Sequence, residues 1–286
     1  MDIRTLAPPA YPPALREIPQ PPTRLWLRGA LPPPEMKRLA VVGSRALSRY
    51  GKESCEYLLA GLAGYPISII SGLALGADAC AHRAALAAGL HTVAVPGSGL
   101  ADAALYPRAN AALAADILAG GGALLSEQEP AHRARPEDFP SRNRLMVGLA
   151  DAVLVIEAGP QSGTLITARL ASEYNRDLLC VPHRIGDAHG FAAHLFLRLG
   201  AAAVSDPLHI LEALRIAPHA PESAAAAPRA LAGTEKCVYD ALAVPRARDE
   251  LIRASGCAAG EALTALATLE LRGVIKEEFG AWRRVS

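Results

Sequence analysis

From residue 39 onward the chain alternates between short, largely apolar runs that lead into glycine- or serine-bearing loops and longer stretches with helical spacing. The run Leu39-Ala-Val-Val42 meets Gly43-Ser-Arg45, and a helix is predicted over 49–63. Runs at 67–70, 92–95, 123–127, 152–156 and 178–181 behave the same way, separated by predicted helices near 78–88, 110–119, 141–149 and 164–174. Near-continuous apolar strands bounded by glycine and alternating with helices define βαβ units. Such a sheet is covered on both faces. The expected fold class is α/β, with a parallel or mostly parallel sheet over residues 39–210.

The flanks break this rhythm. Residues 1–38 carry Pro12-Pro13, Pro21-Pro22 and Pro32-Pro33-Pro34, a density that prevents a long helix or a central strand. They are expected to form an arm pinned to the main domain by Tyr11, Leu15, Leu25 and Trp26, with Leu25-Trp-Leu-Arg-Gly29 as a short edge strand. Residues 211–231 read as a linker centred on Pro218-His-Ala-Pro-Glu-Ser-Ala-Ala-Ala-Ala-Pro228. Residues 232–286 hold three predicted helices, 234–243, 248–255 and 260–272, and a hairpin over 274–285 that turns near Gly280. Three helices and a hairpin in that order suit a winged helix, a helix-turn-helix variant.

Charge changes the picture little: 29 Lys or Arg stand against 28 Asp or Glu, so any anion site must be a local cluster. Aromatic residues make up only 5%, which predicts a core of small and aliphatic side chains. Cys55, Cys80, Cys180, Cys237 and Cys257 form no CxxC pair, which points to a reducing, cytoplasmic setting. No basic segment followed by an apolar run opens the chain, so no export is expected. The uncharged stretch from Leu58 to Ala77 is long enough to span a bilayer. Its Gly61, Gly64, Pro66, Gly72 and Gly76 suit a turn, a strand and a loop instead, and no membrane insertion is expected.

Candidate chemistry sits in the loops after the strands. Gly43, Ser44 and Arg45, with Ser48 beyond, offer close backbone approach, exposed amides at a helix start and a guanidinium fork. They form neither a Walker loop nor a GxGxxG fingerprint. Gly72 and Asp78 belong to Ser71-Gly-Leu-Ala-Leu-Gly-Ala-Asp78, and His82 shares a helical face with Asp78. His82 is either a polar member of that loop cluster or a packed histidine. With His91 on another element, no metal is expected. Pro96-Gly-Ser-Gly99 is either a phosphate or sugar contact or a crossover loop held by Tyr106.

Arg142, Asn143 and Arg144, in Phe139-Pro-Ser-Arg-Asn-Arg144, make an anion clamp in which one arginine faces ligand and the other pairs with Glu127 or Glu157. Ser162, Gly163 and Thr164 open a helix, a natural phosphate position. Repeated Gly-Ser and Gly-Thr loops along one sheet edge add up to an elongated anion-binding crest. No GxSxG elbow or paired-carboxylate pattern stands out, and no enzyme activity or cofactor is expected. The rival reading has Glu157 serving a nucleotide N-glycosidic hydrolysis. The predicted third helix of the last segment, 261–272, holds no Asn or Gln, which favours protein contact over base reading. Lys276, Trp282, Arg283 and Arg284 are candidate backbone contacts.

At these residues the sequence resembles the bacterial DNA-processing protein A family (DprA, also called Smf). The resemblance runs through Tyr11-Pro-Pro-Ala-Leu15, Leu25-Trp-Leu-Arg-Gly29, Val42-Gly-Ser-Arg45, Ser71 to Asp78, Ala81-His-Arg83, Gly97 to Asn110, Ser126-Glu127, Phe139 to Arg144 and Glu157 to Ala168. It implies an extended Rossmann-like domain that binds single-stranded DNA without sequence preference, loads a RecA-type recombinase in natural transformation and forms a homodimer. The DNA pocket it implies comprises Gly43, Ser44, Arg45, Ser48, Gly72, Asp78, Arg142, Asn143, Arg144, Ser162, Gly163 and Thr164. Two departures stand out: Val181-Pro-His183 replaces Val-Pro-Gly, and Ala193 replaces the asparagine of Gly-x-Asn-x-Leu-Ile.

Overall fold

The computed structural model describes residues 2–218, 231, 233–271, 274–278 and 281–284. The proline-rich opening contributes β1 (Arg4–Leu6), the single turn α1 (Pro13–Arg16) and β2 (Leu25–Gly29). The alternating region follows as β3 (Lys37–Val42), α2 (Arg49–Ala60), β4 (Ile67–Ser71), α3 (Ala77–Ala87), β5 (His91–Ala94), α4 (Ala111–Ala119) and β6 (Ala123–Ser126). It continues with α5 (Asp138–Leu149), β7 (Ala152–Val155), α6 (Thr164–Glu173), β8 (Asp177–Cys180), α7 (Phe191–Arg198), β9 (Ala202–Ala203) and α8 (Pro207–Ala213).

These strands make one sheet in the order β1-β2-β6-β5-β4-β3-β7-β8-β9. Pairing is parallel from β6 through β9, whereas β2 runs antiparallel to β6 and to β1. The chain winds outward from β3 to β6 and then returns to lay β7 on the other side of β3. The sheet therefore has a topological switch point at β3, where open α/β sheets place their ligand crevices.

Alternate residues of each strand feed opposite faces. Val42, Val153 and Val155 pack with Leu15, Leu145 and Met146, while Leu39, Val41 and Leu154 pack with Leu58, Leu59 and Leu211. Leu154 has no exposed surface, and its truncation to alanine should cost about 2–5 kcal/mol, read as a lower urea midpoint.

Three expectations need correction. Leu25–Gly29 is not an edge, because β1 pairs along its outer side; three residues were too few to show a pattern. α5 begins at Asp138, with Pro140 in its first turn, where no intrahelical amide is required. The linker does not begin at 211, since Leu211 and Leu214 are buried beside α2.

A second compact unit begins at Pro218. It contains α9 (Thr234–Ala241), α10 (Arg248–Ser255), α11 (Ala259–Leu271) and the antiparallel hairpin β10 (Ile275–Glu278) and β11 (Ala281–Arg284). Val238, Leu251, Leu266, Leu269, Ile275 and Trp282 form its own core. This is the winged-helix order. The middle of the predicted linker (219–230), Arg272 and Gly280 lie outside the described residues.

Candidate nucleic-acid interface

At the switch point a cleft of about 930 Å³ opens above the carboxyl ends of β3, β4 and β7. Each strand delivers its following loop to the rim: Gly43 to Ala46 after β3, Ala74 and Asp78 after β4, and Gly159 to Thr164 after β7. α5 supplies the remaining wall through Phe139, Arg142, Asn143 and Met146.

Of the predicted residues, Gly43, Ser44, Arg45, Asp78, Arg142, Asn143, Ser162, Gly163 and Thr164 line this cleft together. Gly43 is required by crowding, because a Cβ there would lie 2.7 Å from the Cβ of Ala77. Arg45 is exposed, and its guanidinium carbon sits 4.9 Å from the centre of the Phe139 ring. Ser162 Oγ donates to Thr164 Oγ1 at 2.9 Å and accepts from the Thr164 amide at 3.2 Å, which shapes the start of α6. Gly163 faces open space.

Arg142 is buried, and its Nη1 donates to the carbonyls of Gly72 (2.6 Å) and Val95. Burial pulls its pKa down to about 10; Asp78 opposes that shift and Arg45 adds to it, so Arg142 remains a cation at neutral pH. Asp78 is likewise buried and accepts from the Ala74 amide at 3.2 Å. Burial raises its carboxyl above the usual range and the charge of Arg142 pulls it back. The floor of the cleft thus holds a fixed cation beneath the exposed Arg45.

The other predicted residues stand apart from the cavity lining. Gly72 leaves room for Arg142, since a Cβ there would come 2.3 Å from Nη1. Arg144 turns away and donates through Nη2 to both oxygens of Glu127 at 2.6 Å, so it is the arginine that pairs with an acid. Ser48 caps α2 and bonds the buried Glu157. Glu157 itself has no exposed surface and does not line the cleft.

Two further expectations resolve against a direct role. His82 is fully buried, shares a hydrogen bond of 2.8 Å with Thr92 Oγ1, and is driven to a pKa of about 3 by burial and the nearby arginines. It is the packed histidine of the two readings. The 96–99 loop packs inward: Ser126 Oγ donates to Ser98 O at 2.7 Å, and a Cβ on Gly99 would strike Glu129 O at 2.1 Å. Asn110 stands at the amino-terminal cap position of α4, but its side chain makes no capping bond; its Nδ2 donates to the carbonyls of Leu73 and Ala74.

The site-residue set drawn from the sequence omits the aromatic pair at the cleft mouth. Tyr106 and Phe139 meet at 5.8 Å between ring centres, and Tyr106 is 47% exposed. Tyr106 lies in the loop after β5 and Phe139 in the first turn of α5, and only the fold brings them into a joint surface. Among the described residues no group of three or more His, Cys, Asp or Glu is arranged to hold a metal ion. No helix among them is long and apolar enough to cross a membrane.

In the second unit, α11 exposes Glu261 and Glu270, while Thr264 and Thr268 donate to carbonyls of their own helix. Trp282 is buried, and Arg284 stacks on Tyr239 at 4.2 Å and donates to its carbonyl at 2.8 Å. Trp282 and Arg284 are therefore committed within the unit.

A doubly wound sheet with a cleft at its switch point lined by Arg45 and Arg142, followed by a winged helix, defines a two-part Rossmann-like architecture. Residues 2–215 match the family model of DNA recombination-mediator protein A, and residues 222–280 match that of the DprA winged helix domain. The chain belongs to the DprA/Smf family of DNA-processing proteins. It is 41% identical to Protein Smf of Escherichia coli over 217 residues, which is 74% of this chain and 58% of that protein. It is 39% identical to DNA processing protein DprA of Streptococcus pneumoniae over 201 residues, 70% of each chain. The chain thus spans a little over half the length of the Escherichia coli relative.

Among solved structures it resembles DprA from Streptococcus pneumoniae, with a TM-score of 0.69 and 37% identity over 73% of this chain and 74% of that one. It also resembles DNA processing protein A from Helicobacter pylori, described with its single-stranded DNA binding mode. That likeness has a TM-score of 0.65 and 28% identity over 74% of this chain and 95% of that one.

Proposed function

We propose that this chain binds single-stranded DNA without sequence preference, protects incoming strands and helps load a RecA-type recombinase onto them in natural transformation, as a cytoplasmic homodimer. The observation that carries the reading is the convergence of the β3, β4 and β7 loops on one open cleft with Arg45 at its rim and Arg142 in its floor. Ser44, Arg45 and the Ser162-Gly-Thr164 turn hold phosphates directly, while Gly72, Asp78, Asn143 and Arg142 set the shape and potential of the floor. Ser48 and Arg144 act from behind the wall. Such contacts read backbone and not base identity, as single-strand binders do.

Tyr106 and Phe139 supply the stacking surface. Stacking on an aromatic ring is worth about 1–3 kcal/mol per base, so Tyr106→Ala should weaken oligonucleotide binding about fivefold or more with an unchanged thermal midpoint. A fluorescence anisotropy titration beside a melting curve checks both. Dimer formation finds support in Phe191 and Leu195 on α7 and Leu199 at its carboxyl cap, exposed apolar residues spaced four apart. The acidic exposed face of α11 supports a protein partner over base reading for the winged helix.

The N-glycosidic hydrolase reading needs a carboxylate that reaches a sugar in the cleft, and Glu157 is buried with both oxygens engaged by Ser48. Recombinase filament assembly on strands coated with single-strand-binding protein tests the proposal. Faster assembly with the full chain supports loading, and no change at saturating chain overturns it. Release of a free base from nucleotides would restore the hydrolase.

A further inference from the structure

We propose that Glu157 is the positioning residue of the anion loop, and that it occupies the amino-terminal end of α2 so that DNA phosphate is directed to Arg45 and the α6 turn. This rests on the single-strand reading and adds which buried group holds its loop in place. Glu157 Oε1 accepts from the Ser48 amide at 2.7 Å, and Oε2 accepts from Ser48 Oγ at 2.5 Å. That hydroxyl in turn accepts from the Gly51 amide at 2.9 Å, completing the cap of α2. The backbone carbonyl of Glu157 accepts from the Ser44 amide at 2.9 Å. One residue therefore fixes both ends of the Ser44–Ser48 loop, from which Arg45 projects.

The surroundings are built to this contact. A Cβ on Gly51 would lie 2.3 Å from Oε2, so the first turn of α2 rests on the carboxylate only because residue 51 is glycine. On its far side, His189 Nδ1 stands 3.4 Å from Oε1 and His183 Nε2 stands 3.9 Å from Oε2. His183, the departure from the family's glycine, fills that flank, with Tyr50 edge-on to it at 5.1 Å between ring centres. From the other side of the loop, the Ser44 carbonyl accepts from the Ala77 amide at 3.0 Å.

A carboxylate near an anion site repels the ligand, so direct contact is the wrong role for it. At a helix start, however, a carboxylate is favoured by the amides and the dipole. Glu157 fills that position from within, and the α2 amino terminus is thereby withdrawn from the ligand.

The test is a double-mutant cycle on the full chain. Charge-assisted contacts such as Arg45 to phosphate are lost when the loop is released, so Glu157→Ala should weaken single-strand binding about tenfold. Arg45→Ala with Glu157→Ala should weaken it no further than Arg45→Ala alone, because both changes remove the same contact. Glu157→Gln keeps an acceptor for the Ser48 amide and a donor for its hydroxyl, and should restore binding to within about threefold of wild type. Additive losses in the cycle, or a Gln variant as weak as the Ala variant, would overturn the proposal. Amide exchange at Ser48 and Gly51 gives a readout without DNA: faster in the Ala variant and near wild type in the Gln variant. If wild type fails to bind single strands, the functional reading falls. The positioning claim then stands or falls on the exchange rates, and unchanged exchange in the Ala variant sinks it.

Discussion

Arg45→Ala should lower affinity for oligo-dT, oligo-dA and mixed-sequence strands by the same factor, about tenfold or more. A charge-assisted hydrogen bond contributes about 1.5–3 kcal/mol, and Arg45 is the exposed guanidinium at the rim of the cleft. The slope of log affinity against log salt should fall by about 0.7, one phosphate contact on a single strand. Stability should hold, because the side chain touches the rest of the protein mainly across the Phe139 ring. Lysine at this position restores the charge but not the planar fork, so recovery should be partial. A loss confined to one base sequence would show that Arg45 reads bases, against the account.

Arg142→Ala should damage both binding and folding. The substitution strips Nη1 from the carbonyls of Gly72 and Val95 and leaves Asp78 buried without its compensating charge. Removing one member of such a buried charge set costs about 3–5 kcal/mol. The pH dependence follows from Asp78. Its folded pKa lies above the ordinary 3.8, so across that window the folded chain binds more protons than the unfolded one, and stability falls as pH rises. Arg142 is the foremost of the groups that pull the carboxyl back, so without it the window extends upward. The stability deficit of the variant against wild type should therefore shrink when urea titrations are moved from about pH 7.5 to about pH 5. An equal deficit at both values would contradict the Asp78–Arg142 coupling.

Much of this was legible in the residues. The apolar runs ending at Val42, Ile70 and Ile156 mark strands buried on both faces, and the glycines behind them mark loops where backbone comes close. That pattern fixes which loops reach one edge of the sheet, and the shared cleft follows. What it cannot fix is side-chain direction. Arg142 and Arg144 are two apart on α5, so one enters the cleft floor and the other leaves it, and only packing decides which. Gly72 reads as a ligand glycine but exists to admit a guanidinium. Glu157 reads as a reactive acid after a strand, yet the close approach of Gly51 and Ser48 from α2 buries it. Tyr106 comes from the loop after β5 and Phe139 from the first turn of α5, with α4 and β6 between them in the chain, and no local pattern joins them. β1 and β9 are too short to carry a period, and β2 becomes internal only through β1.

The cleft is proposed to hold a strand by its phosphates. The direct measurement is equilibrium binding of the full chain to single strands of different sequence and to duplex, across a series of salt concentrations. Phosphate holding requires a linear fall of log affinity with log salt, with one slope for all single strands, tighter binding than to duplex, and a shallower slope for Arg45→Ala. Affinity that ignores salt, or that survives for one sequence alone, would contradict it.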